Sequence, residues 1–347
     1  MTSVTTDEVL ARLLQRGRAK AMATDPEHAL LWDALAAASE GGKRFRPALL
    51  TTAHDALGGT LAAAAAEVGA AVELLHTAFI IHDDVIDGDH LRRGRLNVSG
   101  TFRDTALADG AGAEEAAAYG RTAGILAGDL ALAAAVRAVA TCGAPTDVTH
   151  RLLDLFDAAL HTTASGELAD VRLSMTVVAT TLQESLAMEE QKTSAYSFAL
   201  PLQAGAVLAG ADDATTARLG QAGRALGIAF QLVDDLIGVF GDPGRSGKSS
   251  TSDLRTRKQT PLLVHARSTP EWREISTFVG RDLGTDELVE AQRLLTVSGS
   301  RLFVEQLVEE HLVAARSVVD ELGIPQDLFA SMAAQRSVLA DGREVAA

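Results

Sequence analysis

The sequence predicts an all-α protein, and three observations carry that expectation. Apolar residues recur at three- and four-residue spacing almost everywhere, and no sustained alternation suggests a sheet. Hydrophobic residues make up 47% of the chain but aromatics only 4%, so packing rests on Ala, Leu and Val, which suits close helix–helix contact. Proline is limited to eight in 347 residues, which leaves long intervals uninterrupted.

In chain order, the pattern predicts helices over residues 6–22, 26–39, 44–57, 60–88, 113–142, 146–175, 181–210, 212–241, 253–268, 270–280, 285–296, 299–322 and 325–340. Pro47, Pro145, Pro201, Pro243, Pro261, Pro270 and Pro325 fall near proposed starts, ends or kinks. Several segments approach about 30 residues, enough to cross a domain from end to end. The Ala-rich tracts Leu61 to Ala66 and Ala131 to Val136 read as tightly packed helix. No Pro/Ser-rich linker divides the chain and no convincing internal repeat appears. Residues 1–347 are therefore expected to form a single all-helical domain.

The net charge of −15 and a pI near 5.0 argue against nucleic-acid binding and against a basic membrane-binding face. Cys142 is the only cysteine, which excludes an intrachain disulfide or a cysteine-based zinc site and fits an intracellular, cytoplasmic setting. Met1 to Glu8 show no charged-then-apolar signal pattern. The longest charge-free interval, Thr193 to Ala211, contains Ser194, Ser197, Pro201 and Gln203 and reads as a buried helix and not a membrane span. A soluble protein is expected.

Two acidic pairs stand in apolar helical surroundings: Asp83-Asp84-Val85-Ile86-Asp87, after Phe79-Ile80-Ile81, and Asp234-Asp235-Leu236-Ile237-Gly238, beside Phe230, Leu232 and Val233. Ionised groups there pay for desolvation unless cations neutralise them, which points to bound metal ions. On a helix Asp83 and Asp87 are one turn apart and share a face. Two carboxylates so placed hold Mg²⁺ while most of its octahedral shell stays open to waters and phosphate oxygens. A single Asp-Asp-x-x-Asp is more often a solvated acidic face, but two in one helical chain change the balance.

Each pair precedes a predicted non-helical stretch with basic residues. Gly88 to Arg103 contains Arg92-Arg93-Gly94-Arg95, and Gly241 to Ser252 contains Gly244-Arg245-Ser246-Gly247-Lys248. A basic loop beside each acidic helix end is a way to assemble a diphosphate site. Gly41-Gly42-Lys43-Arg44-Phe45-Arg46-Pro47 adds cations at a helix start, where free backbone N–H groups also favour an anion. Taken alone, such a run is a solvated turn. Together with the acidic pairs it reads as a second phosphate site. Gly247-Lys248-Ser249 is not a P-loop, because Asp242 stands where glycine is needed and no strand precedes it.

The chain resembles the trans-isoprenyl diphosphate synthases, all-helical prenyltransferases that join isopentenyl diphosphate to an allylic diphosphate. The match runs in family order from about Gly41 to Pro261: Gly-Gly-Lys-Arg-x-Arg-Pro at 41–47, the first aspartate-rich motif at 83–87, Arg-Arg-Gly at 92–94, Lys-Thr at 192–193 and Phe-Gln-x-x-Asp-Asp at 230–235. The resemblance implies a bundle of long antiparallel helices around a central cavity, the isoprenoid synthase fold, and a homodimer. It implies that Lys43, Arg46, His76 and Arg93 hold the diphosphate of isopentenyl diphosphate, and that Arg92, Lys192, Thr193, Gln231, Lys248 and Lys258 contact the allylic diphosphate. Asp83, Asp87 and Asp234 are then Mg²⁺ ligands, Asp84 and Asp235 support the metal shell, and Asp170, in Gly166-Glu167-x-x-Asp170, holds a metal-bound water. Without that pattern His76 would read as a core histidine, Lys192-Thr193 as a helix-surface pair, Gln231 as a buried hydrogen-bonding group and Lys248 as a loop charge.

Three departures from the family pattern stand out. Gly238 occupies the fifth position of the second motif, where many relatives have aspartate, and Asp242 is the nearest candidate to compensate; Arg257-Lys258 replaces the commoner Gly-Lys; and Glu167 replaces glutamine. For mechanism, cationic groups and Mg²⁺ assist loss of diphosphate, and the isopentenyl double bond attacks the allylic cation. Candidate primers are dimethylallyl, geranyl and farnesyl diphosphates. Product length is expected to depend on Ala78 and Phe79, five and four residues before Asp83. Geranylgeranyl diphosphate is favoured, with farnesyl diphosphate close behind. A class I terpene cyclase needs no second diphosphate pocket, and a non-catalytic partner subunit loses acidic residues, whereas the first motif here is complete.

Overall fold

The structure, a computed structural model, describes residues 4–175, 179–241, 252–325 and Phe329. Its elements are α1 (Thr6–Thr24), α2 (Pro26–Ser39), α3 (Phe45–Ala56), α4 (Ala62–Asp87), the two-residue strands β1 (Leu91–Arg92) and β2 (Arg95–Leu96), α5 (Val98–Ala108), α6 (Ala113–Ala140), α7 (Thr146–Met175), α8 (Leu182–Glu189), a π-helix (Glu190–Ala199), α9 (Leu200–Leu208) and α10 (Asp213–Phe240). Short helices Ser252–Arg255, Pro261–Ala266 and Trp272–Ile275, a 3₁₀ turn Ser276–Phe278, and helices Thr285–Val297 and Ser300–Glu321 follow. The all-α expectation holds.

Local chemistry sets the ends. Thr5 and Glu8 cap α1 reciprocally, with Thr5 N–H donating to Glu8 Oε2 at 2.8 Å and Glu8 N–H to Thr5 Oγ1 at 3.3 Å. Asp25 caps α2 just before Pro26, whose missing N–H costs nothing at a first-turn position. Thr181 and Glu184 form the same reciprocal cap on α8, and Thr260 caps the helix that begins at Pro261.

Contacts divide the described residues into two compact units, one of residues 1–156 and 203–212, the other of 157–202 and 213–347. In the first, α4 packs against α6, and α6 against α5. Glycines make the approach close: a Cβ on Gly120 would lie 2.4 Å from the Ser99 carbonyl oxygen, one on Gly124 2.4 Å from Val85 Cγ2, and one on Gly128 2.2 Å from His82 Nε2. Gly120, Gly124 and Gly128 repeat at one-turn spacing and form a groove along one face of α6. In the second unit α10 packs against the π-helix and against Ser300–Glu321. Gly223 and Gly227 play the same part there, with ideal Cβ positions 2.5 Å from Ala199 Cα and 2.5 Å from Ser194 Cβ. Both cores are built from Ala, Leu and Val with few aromatics, of which Phe156 and Phe198 are the largest fully buried side chains. Among the described residues, two helices, Ala62–Asp87 and Ala113–Ala140, are long and apolar enough to cross a membrane; 78% of the apolar window of the first and 44% of that of the second are buried.

Several expected boundaries need correction. Residues 98–108 form α5, which the expected loop from Gly88 to Arg103 overlapped; Asn97 starts it by accepting from Gly100 N–H at 2.8 Å. A two-strand hairpin lies within that stretch. The expected helix 181–210 is three segments because i→i+5 bonding interrupts it. The expected helix 253–268 breaks between Arg255 and Pro261, and 270–280 is a short helix followed by a 3₁₀ turn. Most of the expected helix 325–340 lies outside the described residues.

Gly223→Ala is expected to lower unfolding stability by about 1–3 kcal/mol through overpacking against Ala199, despite a helix-propensity gain of about 1 kcal/mol. Urea denaturation of the two proteins checks this, and equal midpoints would mean that the helices part freely there.

Candidate active site

Within the first unit, the C-terminal turn of α4 delivers Asp83, Asp84 and Asp87, and Gly88, at φ 71°, stops the helix. Asp84 is buried, Asp83 half-buried and Asp87 exposed. The chain then turns through the hairpin, whose two turn residues, Arg93 and Gly94, both have positive φ (53° and 74°) as a type I′ turn requires. That turn brings Arg92 back onto the acidic pair: its Nε donates to Asp84 Oδ1 at 2.9 Å and its Nη2 to Asp83 Oδ2 at 3.3 Å. Burial pushes the Asp84 pKa up and Arg92 opposes it, with a net rise. A buried carboxylate and a fixed guanidinium thus hold one another in place.

The Gly41–Pro47 segment sits beside this turn, with an ideal Cβ on Gly41 at 3.9 Å from Arg93 Nη1. Its three cations differ in use. Arg44, in the left-handed region at φ 48°, donates through Nη1 to buried Glu73 at 2.8 Å and through Nε to Asp7 at 2.8 Å. Lys43 is exposed, and Arg46 stacks on the Phe45 ring with Cζ 4.5 Å from its centroid. Burial, followed by the positive charge of Arg46, Arg92, Arg93 and Arg44, holds the His76 pKa well below the usual histidine value. His76 is therefore neutral at neutral pH and offers an N–H to a partner without adding charge. Lys43, Arg46, His76, Arg93 and the Asp83–Arg92 group are thus brought together in one unit.

The second unit gathers the others. On α10, Asp235 is buried and Asp234 half-buried. Gln231 Nε2 donates to Asp235 Oδ1 at 3.0 Å, and Thr193 Oγ1 lies 3.4 Å from Gln231 Oε1. The π-helix carries Lys192-Thr193, and Gly166 lets α7 approach it so closely that a Cβ there would sit 2.2 Å from Lys192 N. Lys192 Nζ pairs with Asp170 Oδ2 at 2.7 Å and Glu167 Oε2 at 3.1 Å, so the extra charge of Glu167 falls on a lysine. Burial works against the Lys258 charge, but Asp235, Asp253 and Asp170 outweigh it and raise its pKa. Its backbone N–H donates to the Asp253 carbonyl at 3.1 Å, closing the turn in which Arg257 takes φ 57°. That conformation suits glycine, which accounts for the commoner Gly-Lys at this place.

Two residues of this cluster escaped the sequence reading. An ideal Cβ on Gly238 would lie 2.4 Å from Asp253 Oδ2, so a carboxylate from another segment occupies the space beside the missing fifth aspartate. Asp253 follows the expected basic loop and was legible only as one more helical acid. Glu189 is 3% exposed, and its burial, with the charge of nearby Asp235, pushes its pKa well up. Its signal was burial phase, because it follows Ser185 by one turn on the inner face of α8. Lys248 and Asp242 lie outside the described residues.

Among the described residues, no three His, Cys, Asp or Glu side chains converge to cage an ion unaided. The donors that are present are carboxylate oxygens on rigid helices. They fit an ion such as Mg²⁺, which takes one or two protein carboxylates and fills its remaining positions with water and phosphate oxygens.

Because the folded-state pKa of His76 is depressed, the stability it contributes is present above the unfolded value of about 6.5 and is lost as pH falls from there toward the folded value. Denaturation midpoints measured from pH 8 to pH 5 are expected to fall less in His76→Gln than in the unaltered protein. Parallel curves would show that His76 titrates normally.

A family model for polyprenyl synthetase matches residues 29–294. The chain is 34% identical over 333 residues to the geranylgeranyl diphosphate synthase of Mycobacterium tuberculosis, covering 93% of this chain and 88% of that protein. It is 33% identical over 294 residues to the (2E,6E)-farnesyl diphosphate synthase of Mycobacterium bovis, covering 82% and 75%. Among solved structures it superposes on the geranylgeranyl pyrophosphate synthase of Corynebacterium glutamicum, complexed with isoprenyl diphosphate and magnesium, with a TM-score of 0.84 at 26% identity, over 97% of this chain and 96% of that one. With the motifs, the helical fold and these likenesses in agreement, the chain belongs to the polyprenyl synthetase family and is a prenyltransferase that makes short-chain prenyl diphosphates.

Proposed function

We propose that this enzyme works as a single cytoplasmic prenyltransferase domain, residues 1–347, in a homodimer, and extends dimethylallyl, geranyl and farnesyl diphosphates with isopentenyl diphosphate as far as geranylgeranyl diphosphate. The observation that carries the product length is on α4: Phe79 precedes Asp83 by one turn, while Ala78, one position earlier, is fully buried. A ring at position 79 limits the tail on that helix face, and the small residue at position 78 leaves more room than an aromatic there would. The likeness to geranylgeranyl diphosphate synthases supports the reading, and the farnesyl diphosphate synthase relative keeps a fifteen-carbon product as the second one.

The roles follow from the groups available. Lys43, Arg46, Arg93 and neutral His76 would bind the diphosphate of isopentenyl diphosphate. Arg92, Lys192, Thr193, Gln231 and Lys258, with Lys248, would bind that of the allylic substrate. Asp83, Asp87 and Asp234 would hold Mg²⁺, with Asp84, Asp235 and Asp170 orienting the groups around it. Bound Mg²⁺ supplies positive charge where the diphosphate departs. Arg92, Lys192 and Lys258 would add fixed charge to the allylic diphosphate, and carboxylates already position each of them. Apolar surroundings would keep water from the allylic cation, which the isopentenyl double bond then attacks. A proton leaves the new carbon skeleton for the departing pyrophosphate.

Purified protein given Mg²⁺, isopentenyl diphosphate and each primer in turn is expected to accumulate a twenty-carbon product from all three, as read by chromatography of the dephosphorylated alcohols; products of fifteen carbons or fewer would refute this length. Phe79→Ala is expected to shift the distribution beyond twenty carbons. Asp83→Asn is expected to lower kcat by about 100- to 1000-fold, the scale of losing one electrostatic stabiliser of developing charge, with little change in the KM for isopentenyl diphosphate.

A further inference from the structure

Within the first unit, three elements converge on one face of α4, where Gly69, Glu73 and His76 follow one another at i, i+4 and i+7 spacing. An ideal Cβ on Gly69 would lie 2.9 Å from Thr6 Oγ1 and 3.4 Å from Pro47 Cβ, so the starts of α1 and α3 both abut that turn. One turn on, Glu73 is 6% exposed, and its Oε2 accepts from Arg44 Nη1 at 2.8 Å, while its Oε1 is buried without a hydrogen-bond partner. Arg44 Nε donates to Asp7 Oδ1, also at 2.8 Å, and that aspartate's side chain is 69% exposed.

A buried carboxylate with one guanidinium donor is a weak source of stability, because apolar side chains of similar volume often serve as well. The backbone adds to the cost. Gly41 and Gly42 have φ of 76° and 84°, and Arg44 reaches 48° without being glycine and without a side-chain cap on α3. Such a conformation persists where the surroundings impose it. Here the ion pairs to α4 and α1 impose it, and the neighbours of Arg44 in the chain are Lys43 and, two residues on, Arg46.

We propose that Arg44 and Glu73 are positioning residues for the isopentenyl diphosphate pocket: their ion pair locks the backbone between Lys43 and Arg46 to the α4 turn that carries His76. Binding groups from two elements thereby hold one spacing before the diphosphate arrives, and less has to be ordered when it binds. Neither Arg44 nor Glu73 touches the substrate in this role. Asp7, being exposed, adds little.

The inference rests on the reading that Lys43, Arg46 and His76 bind isopentenyl diphosphate, and Lys43→Ala tests that reading separately. The double variant Arg44→Met/Glu73→Leu replaces the pair with apolar side chains and is expected to keep its helical circular dichroism and its urea midpoint. Its KM for isopentenyl diphosphate is expected to rise about 10-fold, the scale of one hydrogen bond to a charged group, while the KM for geranyl diphosphate stays unchanged. Titration calorimetry with isopentenyl diphosphate alone should show the same weakening. Glu73→Gln retains an acceptor for Arg44 and, like Asp7→Asn, is expected to stay within about 3-fold of the unaltered protein. An unchanged isopentenyl KM in the double variant would overturn the proposal, as would a loss in Glu73→Gln as large as in the double variant. An equal rise for both substrates, or loss of the folded signal, would make the pair structural and overturn it too. An unchanged isopentenyl KM in Lys43→Ala would refute the pocket and the proposal with it, whereas a raised one beside a normal double variant would refute the role of the pair alone.

Discussion

Carboxylates inside an apolar helical core impose the constraint on which the site depends: each buried one has to find a compensating donor at hydrogen-bond range. Both acidic pairs meet it in the same way. One member is sunk into the core, Asp84 at 4% and Asp235 at 2% exposure, and is tied to a cation or to donors around it. The other, Asp83 or Asp234, is only half-buried and keeps access to whatever approaches. The adjacent pair is thus a divided labour: the inner carboxylate organises the cations, and the outer one is the member we propose for the metal ion. This explains why two consecutive aspartates are useful where one would suffice as a ligand.

The aromatic-poor composition has a related purpose. Helices that meet through Gly120, Gly124 and Gly128, or through Gly223 and Gly227, approach closely enough that side-chain groups near their ends are placed by backbone contact and not by flexible packing. Gly166 does this for Lys192 directly, since α7 abuts the peptide that carries it. Rigid elements of this sort are what a site needs when its charges must be in place before charge develops on the substrate.

Much of this was legible in the sequence, and what was not has physical reasons. Strong periodicity made α1, α2, α4, α6 and α10 readable to within a few residues, and side-chain caps at Thr5 and Asp25 add to it for the first two. The motif residues were legible because their chemistry is incompatible with their surroundings unless something binds. α5 was missed because Ser99, Gly100 and Thr101 weaken the helical pattern that the Asn97 cap then rescues. The hairpin is too short for any alternation to register. Glu189 was hidden in the polar run Glu189-Glu190-Gln191, where burial depends on the phase of a helix that changes its winding at the next residue. Arg44, within the basic run Gly41–Pro47, is committed to the scaffold by long-range pairing with Glu73 and Asp7. Pairings between distant segments are what a one-dimensional pattern does not encode.

The wide winding of Glu190–Ala199 also bears on how the protein tolerates change in its length. Bonding from i to i+5 accommodates an inserted residue without breaking the helix. Removing one residue from this stretch would let it relax into ordinary α-helix, locally a more comfortable state, while turning everything on one side by about 100° relative to the other. Lys192 and Thr193 would then swing off Asp170 and Gln231, although each amino acid remained present. The count of residues here matters as well as their identity, so a single-codon deletion should be harder to bear than most substitutions in the same stretch.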